Sequence, residues 1–146
     1  MGFKRKISAK RVDVFPGRLR ILVQLSDGAL RWTTEELVAV ACDAYPTLML
    51  HSCINSKGPT FGDVAVGTSV PHLLEHLVIA EQVRLSGEGR NDLPSSVAPE
   101  VTFVGTTEWI EGGPQAGEAV VEVSFVDDLQ ALKALSNALG FLNANM

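Results

Sequence analysis

One segment constrains the fold more than any other. Val70 to Leu85 reads VPHLLEHLVIAEQVRL. Thr68 and Ser69 precede it as capping residues, and Pro71 is tolerated in a first helical turn. The spacing predicts a helix. Leu73, Leu74, Leu77, Val78, Ile79 and Ala80 leave it little perimeter for water. A helix apolar nearly all round must be buried, so the rest of the chain has to be built around it. The 146 residues are 46% hydrophobic and 20% charged, with a mean hydropathy of +0.18. That is ample core material for one domain and excludes global disorder.

The flanking segments supply the sheet. Arg18 to Leu25 alternates, with Leu19, Ile21, Val23 and Leu25 on one face, as a half-buried strand does. Glu118 to Val126 alternates in the same way through Ala119, Val121, Val123 and Phe125. Short strands are expected over Thr47–Ser52 and Val101–Val104. Thr33 and Glu36 have capping-box spacing for a helix that Tyr45-Pro46 ends. Asp127 or Asp128 caps a last helix with Leu129, Leu132, Leu135 and Leu139 at helical spacing, and Gly140 is its expected stop. The expected fold is a single α+β domain over 1–146, a two-layer sandwich of about four strands and three helices in the order β-α-β-α-β-β-α. Residues 1–13 read as a basic arm or a short edge strand, and 86–99 as a flexible loop.

Charge is unevenly spread. Residues 1–31 carry eight Lys/Arg and two Asp/Glu (+6); the remainder carries four and fifteen (−11). The acidic body argues against nucleic acid as a partner. A basic arm on an acidic body permits head-to-tail contacts in a homo-oligomer. Two cysteines, Cys42 and Cys53, make no disulfide scaffold, no apolar core follows the basic N-terminus, and no run is long enough to span a membrane. A cytoplasmic location is the expectation.

The chemistry sits on the buried helix. His72-Leu73-Leu74-Glu75-His76 is an H-x-x-E-H motif, the inverted form of the zincin sequence. Histidines at i and i+4 lie one turn apart on one face and can reach one ion. Glu75 falls between them in reach of the same site, as general base for a zinc-bound water. The chain has three histidines in all, and two stand at this spacing. For a third ligand, Cys53 is preferred, since a thiolate suits zinc. His51, two residues before it on the same expected strand, is next, or else orients a ligand from behind. Glu108 is a third candidate. The plainer alternative is a Glu–His hydrogen-bond network in the core. Arg84 and Arg90 could grip a substrate carboxylate, and Trp32 and Trp109 could line a pocket, although solvation and packing are the default roles of these residues.

The stretch from Tyr45 to Leu85 resembles the N-terminal domain of cyanophycin synthetase. The residues that carry the likeness are Pro46, Leu48, His51-Ser52-Cys53, the glycine-containing loop through Phe61, Gly67-Thr68, His72-x-x-Glu75-His76 and Gln82, followed by Gly105-Thr106-Thr107. In that family separate ATP-grasp and Mur-ligase-like domains perform synthesis, and 146 residues have room for neither. The resemblance therefore implies the domain that holds the polymer, which in some members looks like a zinc-dependent hydrolase. Glu108 stands where that family favours a basic residue. Two other H-x-x-E-H families fit less well. Pitrilysin-type peptidases take a distant downstream glutamate within much larger domains. S-ribosylhomocysteinase takes a cysteine after the motif, and none follows Cys53 here. The expected function is a stand-alone zinc-dependent hydrolase of an amide or peptide bond in a small peptide-like substrate. The alternative is a non-catalytic peptide-binding or assembly module in which the same residues are structural.

Overall fold

A computed structural model describes residues 5–53, 56–87 and 103–146. β1 (Ile7–Phe15) and β2 (Arg18–Leu25) form an antiparallel hairpin. Its two-residue turn is Pro16-Gly17, and Gly17 adopts a φ of 74° that a side chain disfavours. β3 (Gly105–Trp109) and β4 (Glu118–Ser124) complete a four-stranded antiparallel sheet in the order β1-β2-β4-β3. Between β2 and β3 come α1 (Glu35–Ala44) and α2 (Val70–Gly87). The single turn α3 (Gly113–Ala116) joins β3 to β4, and α4 (Asp128–Asn145) closes the chain. The α+β class, the number of strands and the three long helices agree with the sequence reading. The order of elements matches the expected β-α-β-α-β-β-α only roughly, because β1 precedes β2 and, among the described residues, no strand lies between α1 and α2.

The core is the interface between one sheet face and α2 with α4. On β2, Leu19, Ile21, Val23 and Leu25 are fully buried, and opposite them on β4 lie Val123, Val121 and Ala119. Each such aliphatic side chain contributes about 1.5–3 kcal/mol by leaving water. α2 is buried from Val70 to Gln82 except at His72, which is half-buried.

Four expectations are corrected. First, of the two readings of the basic N-terminal stretch, arm or short edge strand, the edge strand holds for the described part, and it runs longer than expected, from Ile7 to Phe15; residues 1–4 lie outside the described residues. A β-bulge between Ala9 and Arg11 shifts its register and breaks the alternation that would have revealed it. Second, Thr47–Ser52 is no strand. Leu48–Leu50 is a 3₁₀ turn, closed by the N–H groups of Leu48, Leu50 and His51 donating to the carbonyls of Tyr45, Thr47 and Leu48. Only Ser52 makes a bridge, to Thr60. Third, β3 begins at Gly105, after the expected 101–104; Val101 and Thr102 lie outside the described residues, as do 88–99 of the expected loop and Arg90. Fourth, α4 continues through Gly140, and its buried face is Ala131, Ala134, Leu135, Ala138 and Leu142, while Leu129 is 73% exposed. Small alanines let α4 lie close against α2.

The caps also shift by one residue. Thr34, not Thr33, receives the Leu37 N–H and starts α1. Thr33 ties the approach to α1 to the approach to α2. Its N–H donates to the Thr68 carbonyl (2.8 Å), its hydroxyl donates to the Ala65 carbonyl (2.5 Å), and the Gly67 N–H donates back to that hydroxyl (2.8 Å).

The uneven charge finds partners within the chain. Lys10 pairs with Glu118 at 3.2 Å, and Arg18 and Arg20 each approach Glu122 at 3.9 Å. The basic hairpin thus lies beside the acidic positions of β4 on the sheet face away from the helices. Exposed pairs of this kind add little stability each. Among the described residues, no helix is long and apolar enough to cross a membrane.

Candidate metal centre

The first turns of α2 place His72 and His76 on one face. The segment before α2 is held by a clasp: the Cys53 N–H donates to the Pro59 carbonyl (3.1 Å), and the Phe61 N–H donates to the His51 carbonyl (2.8 Å). The clasp, rather than a strand, turns His51 and Cys53 to the same side, against α2. Cys53 Sγ lies 3.4 Å from His72 Nε2, and His51 Nδ1 lies 3.2 Å from His76 Nδ1. One ligand atom each from Cys53, His72 and His76 fall within 4.8 Å of one another. Those three residues could hold a metal ion. His51 stands behind the trio, on His76. Glu108 is outside it: strand alternation sends Glu108 away from α2, while Thr107 points toward it. Arg84 is engaged by Glu81 (Nη2 to Oε2, 2.7 Å), and Cys42 packs at the edge of the core on α1.

Surrounding residues fix the orientation of each group. Thr68 Oγ1 is 2.8 Å from His72 Nδ1; when that nitrogen carries the proton, Nε2 presents its lone pair toward Cys53. Phe61, fully buried, stacks on His76 with ring centroids 4.2 Å apart and meets His72 edge-on at 5.1 Å. The Thr107 hydroxyl donates to Glu75 Oε1 (2.7 Å). Gly105 matters by having no side chain: a Cβ there would lie 2.8 Å from Glu75 Cγ and 2.7 Å from the Glu122 carbonyl. Thr107, Phe61 and Gly105 pack on the candidate centre in ways that local sequence pattern does not indicate. They come from distant segments, and only the closed sheet brings β3 to α2.

Burial dominates the electrostatics. It lowers the pKa values of His51 and His72, and it drives His76 down to about 3, helped by repulsion from His72 and His51. All three imidazoles are therefore neutral near pH 7, the form that binds metal. His76 Nε2 is buried with no hydrogen-bond partner, although Glu75 Oε2 is 3.4 Å away. A neutral imidazole makes that approach no ion pair. Burial pushes Glu75 up to about 7, with the Thr107 hydrogen bond pulling the other way.

No family model matches this chain, and no curated protein or solved structure is significantly similar to it.

The centre opens into a cleft of about 930 Å³ between β3 and the segment before α2. Cys53, His72 and Glu75 lie on its wall; Trp32 and Trp109, edge-to-face at 5.9 Å, mark one end.

The raised Glu75 pKa has a measurable sign. In the unfolded chain this carboxyl ionises near 4.5, in the folded chain near 7. The folded state holds the proton more tightly over that window, so the contribution of Glu75 to stability falls as pH rises through it. In chelator-treated protein, Glu75→Gln is expected to be more stable than the parent above pH 7, by on the order of 1–3 kcal/mol. The difference should vanish below pH 4.5. Urea unfolding at pH 4.5 and pH 8 measures it, and equal differences at the two values would refute the assignment.

Proposed function

We propose that this protein is a small zinc-dependent hydrolase of amide or peptide bonds, with Cys53, His72 and His76 as metal ligands and Glu75 as general base. The observation that carries the reading is the convergence of those three ligand atoms within 4.8 Å, beside a buried carboxyl, on the wall of a cleft. The donor set fits the ion. Two neutral imidazoles and a thiol are the groups zinc takes, and three protein ligands leave a position for water. The partnerless His76 Nε2 is a buried lone pair or proton that a ligand role would satisfy.

Zinc, when bound, supplies Lewis-acid polarisation of a carbonyl and a water of lowered pKa. The chain supplies the rest. Glu75, with a pKa near 7, is poised to take a proton from the attacking water and return it to the leaving nitrogen. Thr107 and Gly105 hold its carboxyl in place. Thr68 and His51 orient the ligand rings. The H-x-x-E-H resemblance supports the same assignment. A thiolate ligand suits a reducing, cytoplasmic setting.

Metal analysis tests this reading first. Purified protein is expected to carry about one zinc per chain, and cleavage of a mixed peptide pool should stop with chelator and return with zinc. Cys53→Ala, His72→Ala and His76→Ala should each weaken zinc binding by more than about 100-fold, since losing only a ligand's orienting partner costs 10- to 100-fold. Protein that takes up no zinc when it is supplied would leave the cluster as a dry core network in a non-catalytic module.

A further inference from the structure

We propose that the substrate of this centre is an extended peptide segment that adds to the free edge of β3 as a fifth strand; the inference rests on the hydrolase reading above. The sheet order leaves β3 outermost next to the cleft. Its pairing with β4 fixes which backbone groups are used. Thr106 pairs with Glu122 and Glu108 with Val120, while just beyond the strand ends the Ser124 N–H donates to the Val104 carbonyl and the Ile110 N–H to the Glu118 carbonyl. Residues 104, 106, 108 and 110 therefore turn their backbone groups toward β4. In an antiparallel ladder the alternate residues turn theirs the other way. Gly105, Thr107 and Trp109 thus present N–H and C=O groups outward, and no strand pairs with them among the described residues.

The same three residues have side-chain positions facing α2. That is why the edge and the chemistry coincide. Glu75 hydrogen-bonds to Thr107 and fills the space where a Gly105 Cβ would lie. A peptide paired to this edge has its backbone running past the Glu75 carboxyl. Backbone pairing supplies affinity without regard to sequence, and side chains at alternate positions supply selectivity. The cleft wall carries Trp32, Trp109, Val64, Ile79 and Phe103 along with the charged Lys57 and Glu108, and the two tryptophans with their aliphatic neighbours offer an apolar or aromatic side chain a surface to pack on.

The test uses the zinc-loaded Glu75→Gln protein, which should bind without turnover, and three uncharged six-residue peptides with a central phenylalanine. One is unmodified; the other two are N-methylated at every second residue, in alternate registers. The outward groups of β3 recur every second residue, about 6.8 Å apart. One methylated register should therefore lose at least about tenfold in affinity, having lost two or more hydrogen bonds, while the other stays within about threefold. The amides of Gly105, Thr107 and Trp109 should gain exchange protection with the unmodified peptide. Equal affinity for all three peptides, equal loss in both registers, no binding at all, or protection elsewhere would each overturn the inference. Cleavage of N-acetyl-leucine p-nitroanilide by zinc-loaded parent protein separates the two claims. That compound is too short to span the edge, so its turnover with a failed peptide test leaves the hydrolase reading standing and removes strand addition alone.

Discussion

Glu75→Gln is expected to keep its zinc and lose amide hydrolysis by about 10²- to 10⁴-fold, the usual worth of a placed general base. The substitution is nearly isosteric. Gln can still accept the Thr107 hydrogen bond and still fits beside Gly105, so the architecture around His72 and His76 is undisturbed. What it cannot do is take a proton. Metal content and turnover are therefore predicted to separate in this variant, whereas His72→Ala should lose both together. The measurement is zinc stoichiometry alongside kcat/KM on one peptide. A Gln variant with the parent's kcat/KM would remove Glu75 from the reaction, and one that loses its zinc would make Glu75 part of the metal's holding instead.

The second large effect is expected at Phe61. Its side chain is fully buried, stacked on His76 and edge-on to His72. Phe61→Ala should lower the stability of the metal-free protein by about 3–5 kcal/mol, through lost transfer and the cavity left behind. It should weaken zinc binding as well, because both imidazoles lose the surface that fixes their planes. Phe61→Leu retains most of the volume and is expected to cost far less stability than Phe61→Ala. Urea unfolding of chelated protein followed by zinc titration measures both effects. A loss under about 1 kcal/mol for Phe61→Ala would mean the histidines are oriented by something else.

Local pattern revealed the parts of this fold that obey a simple period. The alternation of β2 and β4 and the apolar girth of α2 were legible because burial there is continuous. β1 was obscured by one bulge: a single extra residue moves every later side chain to the opposite face. α4 misled for a different reason. Of its expected leucine stripe, Leu135 is buried, Leu132 and Leu139 pack at the edge of the core and Leu129 is exposed; the buried face is completed by Ala131, Ala134 and Ala138, whose small side chains carry little hydrophobic signal. The histidine pair was legible from helical spacing alone. Cys53 was nominated for its chemistry and nearness in sequence; the clasp that delivers it, through Pro59 and Phe61, has no local signature. Glu108 lines the cleft but supplies none of the three converging ligand atoms, because strand alternation turns Thr107 rather than Glu108 toward α2. Thr107 and Gly105 could not be assigned their roles before β3 was known to lie against α2.

The pairing of β2 with β4 has a consequence for the order in which the centre can form. It joins Arg18–Gln24 to Glu118–Ser124 across most of the chain, and closing so long a loop is entropically late in folding. The three proposed metal ligands, Cys53, His72 and His76, all fall within 53–76, inside that loop, and are brought together by the clasp and the start of α2. The residues that seat Glu75 belong to β3, which has no partner until β4 is in place. Ligand assembly is thus a local event and seating of the base a global one. On the proposed zinc-hydrolase reading, a nascent or partly unfolded chain would hold its ion before it could act on a substrate, and hydrolysis would stay silent until the sheet is complete.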